Sequence, residues 1–178
     1  MLPVNVAPTC VRRTWVETWQ RLVQHGDMVN VRSAGILLWR RRGDDLEVFI
    51  AHMGGPFWAK KDAAAWSIPK GEYVDDEDEL VAAAREFEEE IGVPAPPLDY
   101  VRLGEFQQSS GKVVVVFAAE STLEVETVVS NTFPLEWPPR SGRIQQYPEV
   151  DDARWFTVGA AHEKLVKGQR QILDALTQ

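Results

Sequence analysis

Three glutamates form the group of side chains in this sequence that is best suited to chemistry. Glu86, Glu89 and Glu90 lie within about one and a half turns of a predicted helix, near its carboxyl end. The helix dipole disfavours negative charge there, so the three carboxylates would repel one another unless a cation lay among them. Oxygen ligands without a nearby histidine or cysteine pair favour Mg²⁺, or Mn²⁺, over Zn²⁺. The sequence therefore predicts a divalent-metal site on this helix.

The helix that carries these glutamates is predicted over residues 77–91 and ends at Gly92. Apolar residues at helical intervals are expected to pack against the core, on a face well away from the glutamates. Those residues are Leu80, Ala84, Phe87 and Ile91. Ala82 and Ala83 point roughly the same way as the glutamates, and their small size is expected to leave room for a phosphate chain.

The glutamates belong to a longer pattern that covers residues 71–93. Gly71 is followed six positions on by Glu77, and later by the series Arg-Glu-apolar-any-Glu-Glu-any-Gly-apolar. An acidic cluster alone is usually a solvated helix face, but about nine specified positions at fixed spacing are far more than chance provides. The segment resembles the Nudix box with no mismatch. The chain therefore resembles the Nudix (MutT-like) hydrolase family over roughly residues 32–176.

The resemblance implies a fold and a set of metal ligands. The fold is of the α/β class, a Nudix-type α/β/α sandwich with a mixed β-sheet, in which the box forms a loop, a helix and a second loop. Glu86, Glu89 and Glu90 match the metal-binding glutamates of the family, and the carbonyl of Gly71 is a common additional ligand. Mg²⁺, with Mn²⁺ as the alternative, is the implied cofactor.

The resemblance also implies catalytic roles. Arg85 matches the arginine that orients a glutamate, and Glu77 matches a glutamate that braces the loop. In such sites, metal ions neutralise phosphate charge and raise the acidity of a water that attacks phosphorus in line. Glu86 is the first candidate to accept the proton of that water, and Glu149 or Asp151, outside the box, are the alternatives.

Residues outside the helix are candidates for binding the substrate. Lys70 directly precedes the box and could contact a phosphate. Phe57 and Trp58 follow a glycine-rich turn, where an aromatic ring can stack on a base, although a loop aromatic that fills the core is at least as common. Arg140 and Arg143 are candidates to clamp terminal phosphates. For Lys70 and both arginines the alternative is an ordinary surface side chain.

The whole chain indicates a protein of the cytosol. It has 178 residues, a formal charge of −8 and one cysteine, Cys10, so no disulfide can form within it. The longest apolar stretches, such as residues 113–119, are far shorter than a membrane span. The negative charge disfavours general binding to nucleic acid and to anionic lipid. The expected partner is a small nucleotide.

We divide the chain into a short extension and one domain. Residues 1–27 are predicted to be a helical extension bearing Trp15 and Trp19, and residues 28–178 the Nudix domain. The extension is either an added dimerisation helix, which would make the protein a homodimer, or an over-long start. Within the domain the sequence predicts strands near 34–39, 46–51, 66–69, 100–106, 113–119 and 153–158. Residues 131–147 are predicted to be a long loop, and residues 160–178 two helices or one that breaks at Gly168.

The resemblance leads to a specific hypothesis about activity. A Nudix hydrolase would cleave a phosphoanhydride bond in a nucleoside diphosphate linked to another group, with nucleoside triphosphates and dinucleoside polyphosphates as the leading substrates. Residues 54–58, 66–72 and 136–139 resemble a bacterial group of predicted nucleoside triphosphate pyrophosphohydrolases. Two alternatives stay open: a non-catalytic Nudix module that senses a nucleotide, and an interaction domain whose acidic cluster is only a solvated surface.

Overall fold

The computed structural model describes residues 32–74, 76–108 and 111–178. Two buried clusters lie on opposite faces of one β-sheet, and helices cover both faces. This arrangement confirms the predicted α/β/α sandwich. The predicted extension, residues 1–27, lies outside the described residues.

The sheet is mixed, as predicted. The strands of the described residues are β1 (Arg32–Arg42), β2 (Asp45–Met53), β3 (Trp66–Ser67), β4 (Lys70–Glu72), β5 (Val101–Gln107), β6 (Val113–Glu120), β7 (Thr132–Glu136), β8 (Ile144–Pro148) and β9 (Val150–Thr157). All of these except β7 and β8 form one sheet of seven strands, in the order β3-β2-β1-β6-β5, with β4 paired to β1 and β9 paired to β2. β1 and β6 run parallel, and the other pairs in this sheet are antiparallel.

The first strand is long enough to pair with two partners along the same edge. Its first part, near Gly35, pairs with β4, and its last part pairs with β2. A Cβ atom on Gly35 would lie 2.6 Å from the Cβ of Lys70, so only glycine lets β4 approach so closely. This close pairing places Lys70 and Gly71 next to the centre of the sheet.

The box helix, α1 (Glu79–Ile91), begins two residues later than predicted and ends where predicted. Asp78 caps its amino end, because its carboxylate accepts hydrogen bonds from the amides of Leu80, at 3.0 Å, and Val81, at 3.1 Å. Gly92 ends it with a φ of 88°, a left-handed conformation that favours glycine.

The predicted orientation of α1 was wrong in one respect. Ala82 and Ala83 are fully buried in the core and leave no room for a phosphate chain. Leu80 and Ala84 are only partly buried, whereas Glu90 is 7% exposed. The helix is therefore rotated so that its two small residues face the sheet, which permits close packing and brings Glu90 into the buried face.

Two short helices cover the other face of the sheet. They are α2 (Val158–Lys164) and α3 (Arg170–Leu176), joined by a 3₁₀ turn over Lys167–Gln169. The predicted break at Gly168 is confirmed. Leu165, Ile172 and Leu173 are fully buried against the sheet. None of the helices in the part of the chain that the structure describes is long and apolar enough to cross a bilayer.

The predicted long loop over residues 131–147 was wrong, because this segment folds as a hairpin. β7 and β8 pair antiparallel and form a separate two-stranded sheet. The hairpin is fixed by contacts distant in sequence: a Cβ on Gly55 would lie 3.1 Å from the ring of Phe133, and Tyr147 lies beside the same glycine. Such contacts produce no strand periodicity in the local sequence, so the segment was predicted to be a loop.

Candidate active site

Glu90 is the most deeply buried carboxylate of the box. The backbone amide of Lys70 donates a hydrogen bond to it at 3.1 Å. Burial raises the pKa of Glu90 to about 8, repulsion from Glu86 and Glu149 adds to the rise, and Lys70 opposes it. A carboxyl group held in this way is costly to ionise unless a cation lies beside it.

Glu86 lies against the backbone of Gly71. A Cβ atom on Gly71 would lie 1.9 Å from a carboxylate oxygen of Glu86, so a side chain there would displace that carboxylate. Burial raises the pKa of Glu86, although the neighbouring Arg85 opposes the rise. The close approach brings the carboxylate of Glu86 to the Gly71 peptide, the pair of groups that the sequence assigned to the metal.

Arg85 connects the helix to the loop that precedes it. Its guanidinium donates to both carboxylate oxygens of Glu77, at 3.0 and 3.2 Å, and to Glu86 at 2.6 Å. It also donates to the backbone carbonyl of Glu72 at 3.3 Å. Burial lowers the pKa of Arg85, but its two carboxylate partners outweigh that effect and raise it overall. Arg85 is therefore a fixed positive charge that holds Glu86 and the loop in one arrangement.

Glu149 is the carboxylate from outside the box that joins the cluster. Burial raises its pKa, and repulsion from Glu86 and Glu89 raises it further. Asp151, the other candidate outside the box, instead contacts Nδ1 of His52 at 2.6 Å. Glu149 therefore interacts electrostatically with the box glutamates, whereas the side chain of Asp151 is engaged with His52.

Asn131 ties the hairpin to the carboxylate cluster. Its side-chain amide donates to Glu89 at 3.1 Å, and its backbone amide donates to the carbonyl of Glu89 at 2.9 Å. Its own carbonyl accepts from the amide of Glu149 at 2.8 Å. Sequence analysis missed Asn131, because these contacts join segments that are distant in sequence.

Two lysines place positive charge beside the box. Lys70 interacts with Glu86, Glu90 and Glu149 and lowers the pKa of each. The ammonium group of Lys112 lies 2.6 Å from a carboxylate oxygen of Glu72, and burial lowers the pKa of this lysine. Lys112 was not among the predicted residues. It directly precedes the strand β6, and this position gave no sequence signal.

The donor set suits a hard divalent cation. Glu86, Glu89, Glu90 and Glu149 supply carboxylate oxygens within one electrostatically coupled group, and the backbone of Gly71 lies against Glu86. Among residues 32–74, 76–108 and 111–178, no three such side chains already converge at ligand distances. A cation bound among these carboxylates would relieve their mutual repulsion.

The two predicted aromatic residues lie in different surroundings. Phe57 is 53% exposed, and its ring centroid lies 5.0 Å from that of Trp137 in an edge-to-face pair. Trp58 is partly buried against the second core cluster, and the ammonium group of Lys61 lies 4.6 Å above its ring. Phe57 therefore forms an aromatic pair with the partly buried Trp137, and Trp137 was not predicted.

Arg140 and Arg143 lie in the exposed turn between β7 and β8. Arg140 has a φ of 64°, in the left-handed region. The backbone of Arg143 closes the turn, because its carbonyl accepts from the amide of Trp137 at 2.9 Å. The same short turn therefore carries both arginines and the aromatic ring that contacts Phe57.

A model of the NUDIX domain matches residues 29–176, which is most of the chain. The chain belongs to the NUDIX domain family. Membership confirms the resemblance that the box implied and supports the implied class of enzyme, a Nudix pyrophosphohydrolase. No curated protein matches the chain.

Solved structures of other Nudix proteins share the fold. An Ap4A hydrolase from C. elegans, solved as a binary complex, is 21% identical, with 83% of this chain and 95% of that chain covered and a TM-score of 0.54. The NUDIX domain of Shewanella oneidensis NrtR, solved with ADP ribose, is 16% identical, with 93% and 97% covered and a TM-score of 0.54. The Nudix hydrolase RenU from M. smegmatis is 22% identical, with 83% and 86% covered and a TM-score of 0.52. At these identities the likeness supports the fold alone.

Proposed function

We propose that this chain is a hydrolase that requires a divalent metal, Mg²⁺ or Mn²⁺, and cleaves a phosphoanhydride bond in a nucleoside diphosphate linked to another group. The observation that carries the proposal is the cluster of Glu86, Glu90 and Glu149, whose pKa values are each raised by burial and by at least one neighbouring glutamate. Perturbed carboxyl groups that share a site are typical of active sites. Glu86, Glu89 and Glu90 would hold the metal together with the carbonyl of Gly71.

Each residue of the cluster has a proposed task. A bound cation would neutralise phosphate charge and make a water more acidic. Glu149 would accept the proton of that water, because its raised pKa brings it closer to neutral pH, where a general base works best. Glu86, the first candidate from sequence, is instead held by Arg85 at 2.6 Å and lies against Gly71. Lys70 would contact a phosphate oxygen.

The proposed substrates are nucleoside triphosphates and dinucleoside polyphosphates. The solved Nudix structures noted above include an Ap4A hydrolase and a domain complexed with ADP ribose, and both of these ligands contain a nucleoside diphosphate linked to another group. The test is a screen of such compounds with Mg²⁺, Mn²⁺ or chelator, with the products separated by chromatography. Metal-dependent release of a nucleotide product is the expected result. Tight nucleotide binding without any product would instead indicate a sensing module.

The screen also tests the proposed division of the chain. We propose that residues 1–27 lie outside the hydrolase domain, since the family model begins at residue 29. A protein that lacks residues 1–27 is therefore expected to hydrolyse the same substrates. Comparing the sizes of the full and shortened proteins in solution tests whether the extension makes a homodimer.

Stability without metal is expected to fall as the pH rises. Burial raises the pKa of Glu90 from 4.5 to about 8, so between these values the folded protein holds a proton that the unfolded chain has lost. Since the folded state binds more protons there, the free energy of unfolding decreases with pH, by up to about 3 kcal/mol between pH 5 and pH 8. Chemical denaturation of the chelator-treated protein at several pH values measures this slope.

Two comparisons check the origin of the slope. Mg²⁺ is expected to stabilise the protein more at pH 8 than at pH 5, since it binds the ionised cluster. Glu90→Gln should flatten the slope, whereas Glu88→Gln, on the exposed side of the same helix, should leave it unchanged. An unchanged slope in Glu90→Gln would assign the pH dependence to other groups.

The aromatic pair of Phe57 and Trp137 is expected to bind the nucleobase. Phe57→Ala and Trp137→Ala each remove one ring of the pair, and the loss of a stacking contact of roughly 1 to 2 kcal/mol should raise KM about ten-fold with little change in kcat. Trp58→Ala is the matched control. Because Trp58 packs on the core, this substitution should lower the melting temperature and leave KM nearly unchanged. Steady-state kinetics on a purine substrate and thermal melts distinguish the two outcomes.

The arginines of the same turn test the phosphate end of this binding mode. Arg140→Ala and Arg143→Ala should weaken the binding of substrates with long phosphate chains more than the binding of those with short chains. Only a long chain reaches a second cationic contact. A series from nucleoside diphosphate derivatives to tetraphosphates measures this difference. Equal losses along the series would contradict the clamp.

A further inference from the structure

His52 is a buried histidine with two polar contacts. It is 8% exposed, and its Nε2 lies 2.8 Å from the backbone carbonyl of Lys61. A carbonyl only accepts, so Nε2 carries hydrogen and donates. Nδ1 lies 2.6 Å from a carboxylate oxygen of Asp151, and the edge of the ring contacts Trp66 at a centroid distance of 5.1 Å. The ring is therefore held on three sides.

Asp151 occupies an irregular point in the sheet. His52 pairs with Asp152 and the next residue, Met53, pairs with Val150, so Asp151 is the extra residue of a β-bulge in β9. A bulge bends its strand and changes the direction in which nearby side chains point. The contact with His52 fixes this bulge by its side chain rather than by the regular pairing of strands.

The bulge lies directly beside Glu149. The amide of Gly54 donates to the carbonyl of Glu149 at 2.8 Å, and a Cβ on Gly54 would lie 2.2 Å from the carbonyl oxygen of Pro148. The loop that follows Gly54 leads to Lys61, whose carbonyl contacts His52. His52 thus contacts both Asp151, two residues after Glu149, and the loop that follows Gly54.

We propose that His52 is a positioning residue, which acts through Asp151 to hold the bulge of β9 so that Glu149 faces the carboxylates of α1. The inference rests on the proposed function, in which Glu149 accepts the proton of the attacking water. Neither His52 nor Asp151 touches the substrate in this scheme.

Substitutions that remove the contact should lower turnover without removing the fold. Asp151→Ala leaves His52 without its carboxylate partner, and a small shift of Glu149 should lower kcat roughly ten- to hundred-fold with KM nearly unchanged. Asp151→Asn keeps a side chain that can form a hydrogen bond with Nδ1 and should restore most of the activity. His52→Gln keeps a donor for the Lys61 carbonyl but loses Asp151, so it should behave as Asp151→Ala does.

A double-mutant cycle separates positioning from a general structural role. If Asp151 acts through Glu149, then Asp151→Ala should cause little further loss in a Glu149→Gln background. A loss of equal size in both backgrounds would overturn the inference. Absence of metal-dependent hydrolysis in the wild type would instead reject the proposed function. The role of His52 would then be decided by hydrogen exchange.

Hydrogen exchange tests the same link in the metal-free protein, without turnover. Asp151→Ala and His52→Gln should speed exchange at the amide of Gly54, about ten-fold or more, since its bond to Glu149 depends on the bulge. The amide of Ile36, which donates to Pro69 at 3.0 Å, is the internal control and should keep its rate. Unchanged exchange at Gly54 in both variants would show that His52 does not hold this segment.

Discussion

Replacing Glu86 by glutamine is expected to lower turnover by at least about a hundred-fold while the protein stays folded. The substitution removes the negative charge that would bind the cation, and the metal contributes several kcal/mol to stabilising the charge of the transition state. Glu86 is 13% exposed at its side chain and contacts Arg85, which keeps its bonds to Glu77 in the variant. The loop and the helix should therefore remain in place.

Glu88→Gln is the matched control for this prediction. It makes the same chemical change on the same helix, but Glu88 is exposed and does not belong to the coupled cluster. Turnover should stay within about two-fold of the wild type, since exposed carboxylates contribute little. Steady-state rates over a range of Mg²⁺ concentrations, together with circular dichroism, test the pair. Near-wild-type turnover in Glu86→Gln at all metal concentrations would reject the metal site.

The sequence predicted the box well because its information is local. Glu86, Glu90 and Gly92 lie on one short helix, and helical geometry alone determines their spacing. The rotation of that helix about its axis is not set by local sequence, because it depends on how the helix packs against the side chains of the sheet. Ala82 and Ala83 were expected to face the phosphates and instead pack in the core, because small residues let the helix approach β1 closely.

The rest of the site depends on contacts between distant segments. The proposal of Glu149 over Asp151 depends on a β-bulge and on a histidine almost a hundred positions earlier in the chain. Asn131 reaches Glu89 only because β7 and β8 form a hairpin that strand periodicity did not reveal. Neither contact has a local pattern, so a single sequence could suggest candidate residues but could not choose among them.

Gly71→Ala should abolish most of the activity although it adds only one methyl group. The new Cβ would lie 1.9 Å from a carboxylate oxygen of Glu86 and 2.0 Å from its Cδ, far inside contact distance. Either the carboxylate turns away from the Gly71 carbonyl or β4 shifts from β1, and both movements separate the two proposed metal ligands. A displacement of about 1 Å in such a site costs roughly a hundred-fold in rate.

The control for this substitution is Gly159→Ala. Gly159 lies in α2, and a Cβ there would meet nothing within 4 Å, so this variant should keep full activity and become slightly more stable, by about 0.5 to 1 kcal/mol. Calorimetric measurement of Mn²⁺ binding to each variant distinguishes a displaced carboxylate from general unfolding. Gly71→Ala should stay folded at low temperature and bind Mn²⁺ at least about ten-fold more weakly, because one ligand no longer faces the other. If it binds Mn²⁺ and turns over substrate as the wild type does, then Glu86 is not held against Gly71 in the working enzyme, and the metal must be bound by other carboxylates of the cluster.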